Sequence, residues 1–129
     1  MSGQLASTIA IAIATAALAV LPAPPATAGD AEAGKTPFAT NCSSCHGMGG
    51  KGDGPVGAVL QPPPRDFTVG DFKFDTDDDG KTGTDADLKN VITNGAGKYG
   101  GSMLMAPWGA MLSSDDMDNI IAYIRSLKP

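Results

Sequence analysis

The first 28 residues contain no Lys, Arg, Asp or Glu, so residues 29–129 carry all nine basic and fourteen acidic side chains, a net charge of −5. An acidic balance of this kind argues against a nucleic-acid binder held by phosphate contacts. The chain has a single His and only two Cys. One His and two Cys fall short of the four ligands of a closed zinc site, and two Cys cannot staple a disulfide framework. Seven aromatic side chains, against 17 Gly and 10 Pro, leave little from which to build a core. No segment alternates with a strand period and no internal repeat appears, which points to an all-α domain. The 101 residues after position 28 make one domain and are too few for a Rossmann or TIM-barrel enzyme. A core this thin would be marginal on protein atoms alone, so something besides protein is expected to fill it.

What is present begins with an export signal. Residues 7–21 are an uninterrupted run of small and apolar side chains, followed by Pro22-Ala23-Pro24-Pro25 and then Ala26-Thr27-Ala28. An apolar stretch, a helix-breaking segment and an A-x-A site read as a secretory signal peptide over residues 1–28. Cleavage after Ala28 would release a domain spanning 29–129 into the periplasm, with no stable membrane insertion. The run meets prolines before reaching the roughly 20 apolar residues of a spanning helix. An uncleaved N-terminal anchor is the other reading, and the lack of any basic residue before the apolar run departs from the usual signal-peptide pattern.

Export would favour a disulfide, but Cys42 and Cys45 are three residues apart, and so small a loop gains little from closure. A thioredoxin-like pair would need a βαβ framework that the pattern lacks. Cys42-Ser43-Ser44-Cys45-His46 is C-x-x-C-H, the pattern of c-type haem attachment. Two thiols at this spacing on a helical turn can each add to a vinyl group of one porphyrin. The His after the second Cys is then carried beneath the ring, where its Nε2 can bind the iron. A second His ligand is impossible within the chain. The sixth position is then left to Met, Lys or an open site, and methionine is a soft thioether that raises the reduction potential. Of the six Met, Met1 leaves with the leader, Met48 lies too close to His46 to cross to the opposite face, and Met117 belongs to a helical apolar stripe. Met103, Met105 and Met111 remain.

The flanking segments carry readable element signals. A first helix is expected near residues 30–46, either kinked at Pro37 or beginning there with Thr36 as N-cap. Gly- and Pro-rich residues 47–64 cannot form a long helix, and Pro62-Pro63-Pro64-Arg65-Asp66-Phe67 reads as extended chain. Arg65 is placed either on a haem propionate or at the surface beside Asp66. Asp75-Thr76-Asp77-Asp78-Asp79-Gly80 matches the first half of an EF-hand loop, but the twelfth position is Ala86, so a solvated acidic turn is expected. Thr84 with Asp87 opens a helix running to Asn94, and Gly95 stops it. Ser113 with Asp116 opens another, with Leu112 and Met117 placed as a hydrophobic staple. Met117, Ile120, Ile121, Ile124 and Leu127 then form one buried stripe. Acids at its start and Arg125 and Lys128 at its end suit the helix dipole.

Cys42–His46, the segment Met105-Ala106-Pro107-Trp108-Gly109 and a last helix ending Ala122-Tyr123-Ile124-Arg125 together resemble the class I, His/Met-ligated monohaem cytochromes c. The resemblance covers essentially all of residues 30–129. It implies an all-α cytochrome c fold of several short helices around one covalent haem c. It implies His46 and Met105 as the iron ligands, with Met103 as the alternative because Pro107 stands one place later than usual. It also implies packing of Gly34 and Phe38 on the last helix, a loop at Gly54-Pro55 whose carbonyl accepts the His46 Nδ1 proton, and Trp108 on the distal side. The implied activity is electron transfer, not enzymatic catalysis, by a monomer shuttling between redox protein partners. A haem c subunit of a dehydrogenase or reductase complex, and a peroxidase or ligand sensor with a labile sixth position, are the competing readings.

Overall fold

The computed structural model describes residues 28–129; the signal peptide expected over residues 1–28 lies, apart from Ala28, outside the described residues. Four α-helices and three short 3-10 turns occur among these residues, with no strand. Helix α1 spans Ala31–Asn41 and α2 spans Ser43–His46. Helix α3 spans Asp85–Asn94 and α4 spans Ser114–Ser126. No helix among them is long and apolar enough to cross a membrane.

Helix α1 starts at Ala31, five residues before Thr36. Its N-cap is Asp30, whose carboxylate accepts from the Glu32 and Ala33 backbone N–H groups at 2.9 and 3.2 Å. Thr36 is therefore not the cap, and Pro37 stands inside the helix. The missing Pro37 N–H removes one intrahelical bond, a loss that the surrounding helix tolerates. The helix does not run unbroken to His46. Cys42 departs to φ −115°, and α2 resumes with the His46 N–H bonded to the Cys42 carbonyl at 2.9 Å.

The caps of α3 and α4 form as the sequence predicts. Thr84–Asp87 and Ser113–Asp116 both close reciprocal capping boxes. Helix α4 buries Met117, Ile120, Ile121 and Ile124 on one face. Against that face lies α1, crossing where Gly34 meets the α4 backbone: a Cβ at Gly34 would overlap the Asn119 carbonyl oxygen. Phe38, 1% exposed, fills the next turn, its ring 5.0 Å from Tyr123 and 6.2 Å edge-on from Phe67. Helix α3 is tied across to α4 by Lys89 to Asp118 at 2.6 Å, while Arg125 of α4 reaches Asp85 at 2.8 Å and the Gly83 carbonyl at 2.6 Å. The core is small. Eight buried hydrophobic side chains make it up among the described residues, and several of them line a cavity.

Candidate functional site

A cavity of about 310 Å³ opens between α2, the 60–67 segment, α3 and the loop 101–108. Cys42, Cys45 and His46 form one wall and Met105 and Trp108 another, with Ile120 and Ile124 of α4 at the back. A second cavity of about 100 Å³ shares His46 and Met105 and extends to Phe72 and Leu88. The lining is mostly apolar, with the two thiols, the imidazole, Arg65 and, in the second cavity, Asp87 among its polar groups. Such a surface suits a flat, hydrophobic group fixed at a few polar points.

Local backbone geometry places the three attachment residues. Cys42, at the break between helices, is half-buried, as are Cys45 and His46. Burial, aided by the neighbouring Cys45, pushes the Cys42 thiol up to about 11, so it stays protonated at neutral pH. Burial also lowers the His46 pKa, opposed by a contact with the Arg65 carbonyl, and favours the neutral imidazole that a metal binds. That carbonyl lies 3.2 Å from His46 Nδ1. A proton on Nδ1 is thereby held, and Nε2 is left as the donor atom. The imidazole also stacks on Phe67 at 4.5 Å and 17°.

The Arg65 contact corrects the expectation for Pro55. Pro55 is exposed and does not border either cavity. Residues 54–56 are instead committed to the α2 backbone. The Gly54 N–H bonds the Cys45 carbonyl at 3.2 Å and the Val56 N–H bonds Ser44 at 2.9 Å. A Cβ on Gly54 would strike the Ser43 and Ser44 carbonyls, so this turn presses on α2 and sends Pro55 outward. The 64–67 segment takes its place, held by the Phe67 N–H on the Gly50 carbonyl at 2.7 Å. Arg65 thus contributes its carbonyl to His46. Its side chain, half-buried at the cavity wall, approaches Asp71 at 3.8 Å rather than Asp66, which caps Thr68.

The methionines separate by position. Met105 is half-buried and borders both cavities. Met103 is 83% exposed and Met111 73%, and neither borders a cavity; Met48 is 64% exposed. Met117 is in the core, its sulfur accepting from Thr93 Oγ1 at 3.3 Å. The Met105 loop is anchored on both sides to the end of α3. Its carbonyl accepts from the Ala96 N–H at 3.1 Å, and the Trp108 N–H bonds the Ile92 carbonyl at 2.8 Å. Gly95 makes the turn possible with φ +81°. Phe67, Phe72 and Asp87 also line the site; the sequence marks Asp87 only as a helix cap, and Phe67 and Phe72 carry no motif of their own.

The cytochrome c family profile matches residues 31–128. Over 103 residues the chain is 42% identical to cytochrome c-554(547) of Halothiobacillus neapolitanus, covering 78% of this chain and all of that protein. It is 34% identical to cytochrome c6 of Rippkaea orientalis, over 82% of this chain and 78% of the relative. Among solved structures it resembles a chain of the reducing HAO-like protein complex of Kuenenia stuttgartiensis, with a TM-score of 0.65 and 30% identity. That match covers 79% of this chain and spans 44% of the neighbour. The chain belongs to the class I monohaem cytochrome c family. It is accordingly a haem electron-transfer protein of all-α cytochrome c fold, and its cofactor is a covalently held haem c.

Proposed function

We propose that the protein is a mobile single-electron carrier of the periplasm. In this reading Cys42 and Cys45 would hold the haem through thioether bonds, and His46 and Met105 would ligate its iron. One-electron redox chemistry is the haem's; the chain supplies its environment. The Arg65 carbonyl fixes the His46 ring, and Trp108 and the α4 isoleucines keep water from the group. Two ligands retained in both oxidation states leave no open position for substrate and little geometry to change at each transfer. The observation that carries this reading is the placement of Met105, alone among the described methionines, on the walls shared with His46. Residues 1–28 would be removed on export, and the domain 29–129 would act as a monomer. Docking at the exposed haem edge, by a surface of net acidic character, favours a basic redox partner and weakens with salt.

A second reading is a haem c subunit of a larger redox assembly. It is favoured by 33% identity to the Cbb3-type cytochrome c oxidase subunit FixP of Azorhizobium caulinodans, of which this chain spans 28%, and by the Kuenenia stuttgartiensis neighbour. Co-purification with a partner at fixed ratio would favour it over a diffusing carrier.

Visible absorption of the ferric protein tests the ligand pair. The expected result is a low-spin spectrum with a methionine-to-iron charge-transfer band. That band should vanish in Met105→Ala and persist in Met103→Ala, and the reverse would move the ligand by two residues. A high-spin spectrum altered by low concentrations of cyanide or carbon monoxide would overturn the carrier reading in favour of a ligand-binding or peroxidase site.

A further inference from the structure

Among the described residues Asp87 is the one charged side chain in the core, 1% exposed, and it borders the second cavity together with His46 and Met105. Capping α3 occupies only half of it. Oδ2 accepts from Thr84 N and Oγ1, both at 2.8 Å. Oδ1 accepts from Thr76 N at 2.6 Å and Thr76 Oγ1 at 2.8 Å, eleven residues back in the chain. Asn90 Nδ2 in turn donates to Thr76 Oγ1 at 2.9 Å. Four donors aimed at two oxygens stabilise the ionised carboxylate. A capping residue needs no burial and no second pair of donors, as Asp116 shows by performing the same duty in α4 with neither.

We propose that Asp87 is a tuning residue: a carboxylate, ionised at neutral pH and bordering the smaller cavity that His46 and Met105 also line, that favours the ferric state and holds the reduction potential down. The inference rests on the functional reading above. The charge of the iron–porphyrin unit is one unit more positive when oxidised, so a nearby anion stabilises that state. The effect is strongest where water is excluded. Other charges near the same wall are worse placed to act. Arg65 is half-buried and Lys73 exposed. Asp75 and Asp77 bring carboxylate oxygens within 4.8 Å of Asp87, but from half-buried and exposed positions where solvent and salt screen them.

The test is the midpoint potential of the haem-loaded protein at neutral pH, with the methionine band recorded alongside. Asp87→Asn is expected to shift the oxidation–reduction equilibrium toward the ferrous form by about threefold or more, equivalent to a rise of about 28 mV for one electron. Asp87→Glu should return toward the parent value. Thr76→Val removes a donor but keeps the charge, and should give no rise. A purely structural Asp87 predicts the opposite sign, because loosening the wall admits water, which favours the ferric state. An unchanged or lowered potential in Asp87→Asn with the methionine band intact overturns the proposal. Should that variant fail to accumulate with haem, Asn90→Lys decides, since a cation beside the network must raise the potential and absence of a rise overturns it. Loss of the methionine band in the parent protein would instead sink the ligand assignment, a failure visible before any variant is compared.

Discussion

At the scale of single residues, the chemistry divides into what adjacent side chains do and what backbone atoms do. Cys42, Cys45 and His46 act as a contiguous unit on one helical turn, and their spacing alone announces the task. The partner of His46 is a carbonyl, which every residue possesses, so no motif could distinguish Arg65 from Pro55. Asp87 was legible as a cap through its spacing from Thr84, whereas its bonds to Thr76 arise from a loop folding back. That carboxylate also has a pH signature. Burial alone would raise its pKa, but the bonds from Thr76 and Thr84 outweigh this and hold it at about 2 against an ordinary 3.8. A depressed folded-state pKa means the stabilisation is complete above the ordinary value and is lost as pH falls toward 2. Thermal melting of the haem-loaded protein should therefore drop between about pH 4 and 2, and drop less steeply in Asp87→Asn. Equal slopes in the two proteins would remove Asp87 from the account.

At the scale of elements, the helix starts are decided by side chains three or four residues from the groups they satisfy. The capping boxes at Thr84 and Ser113 therefore form where the spacing predicts, as does the α4 stripe. The start of α1 is different. Pro37 looked like a possible first position because a proline is best tolerated there. Asp30 begins the helix earlier because it has free N–H groups to accept from, and because the Asp30 N–H is itself held by Asn119 of α4 at 2.7 Å. Tertiary contact, not propensity, settles that helix. The crossing of α1 and α4 then depends on one missing side chain. Gly34→Val would force the helices apart, and we expect a loss of about 1–3 kcal/mol of stability, the range for overpacking, read as a lower melting temperature. Gly49→Ala, where nothing lies within 4 Å of the added carbon, serves as the control and should leave melting nearly unchanged.

Taken whole, the molecule is a shell around its cofactor. Eight buried hydrophobic side chains cannot offset the ordering of some hundred residues, and the cavity they border would be left without packing partners. The chain produced without haem attachment, or as the Cys42→Ala, Cys45→Ala double variant lacking haem, should show little helical circular dichroism and no sharp thermal transition. A cooperative melt of the haem-free chain would contradict this. The sequence by itself determined the C-x-x-C-H turn, the caps, the apolar stripe and the expectation that the core would be completed by something other than protein. Each is written in residues close together along the chain, or in composition. Only the tertiary structure decided that Met105 rather than Met103 borders the walls shared with His46, that the Arg65 carbonyl meets His46, and that Asp87 is buried beside the same cavity. Those outcomes depend on distant segments meeting across a three-dimensional gap. A one-dimensional pattern records which groups are available, but not which of them the packed chain turns inward.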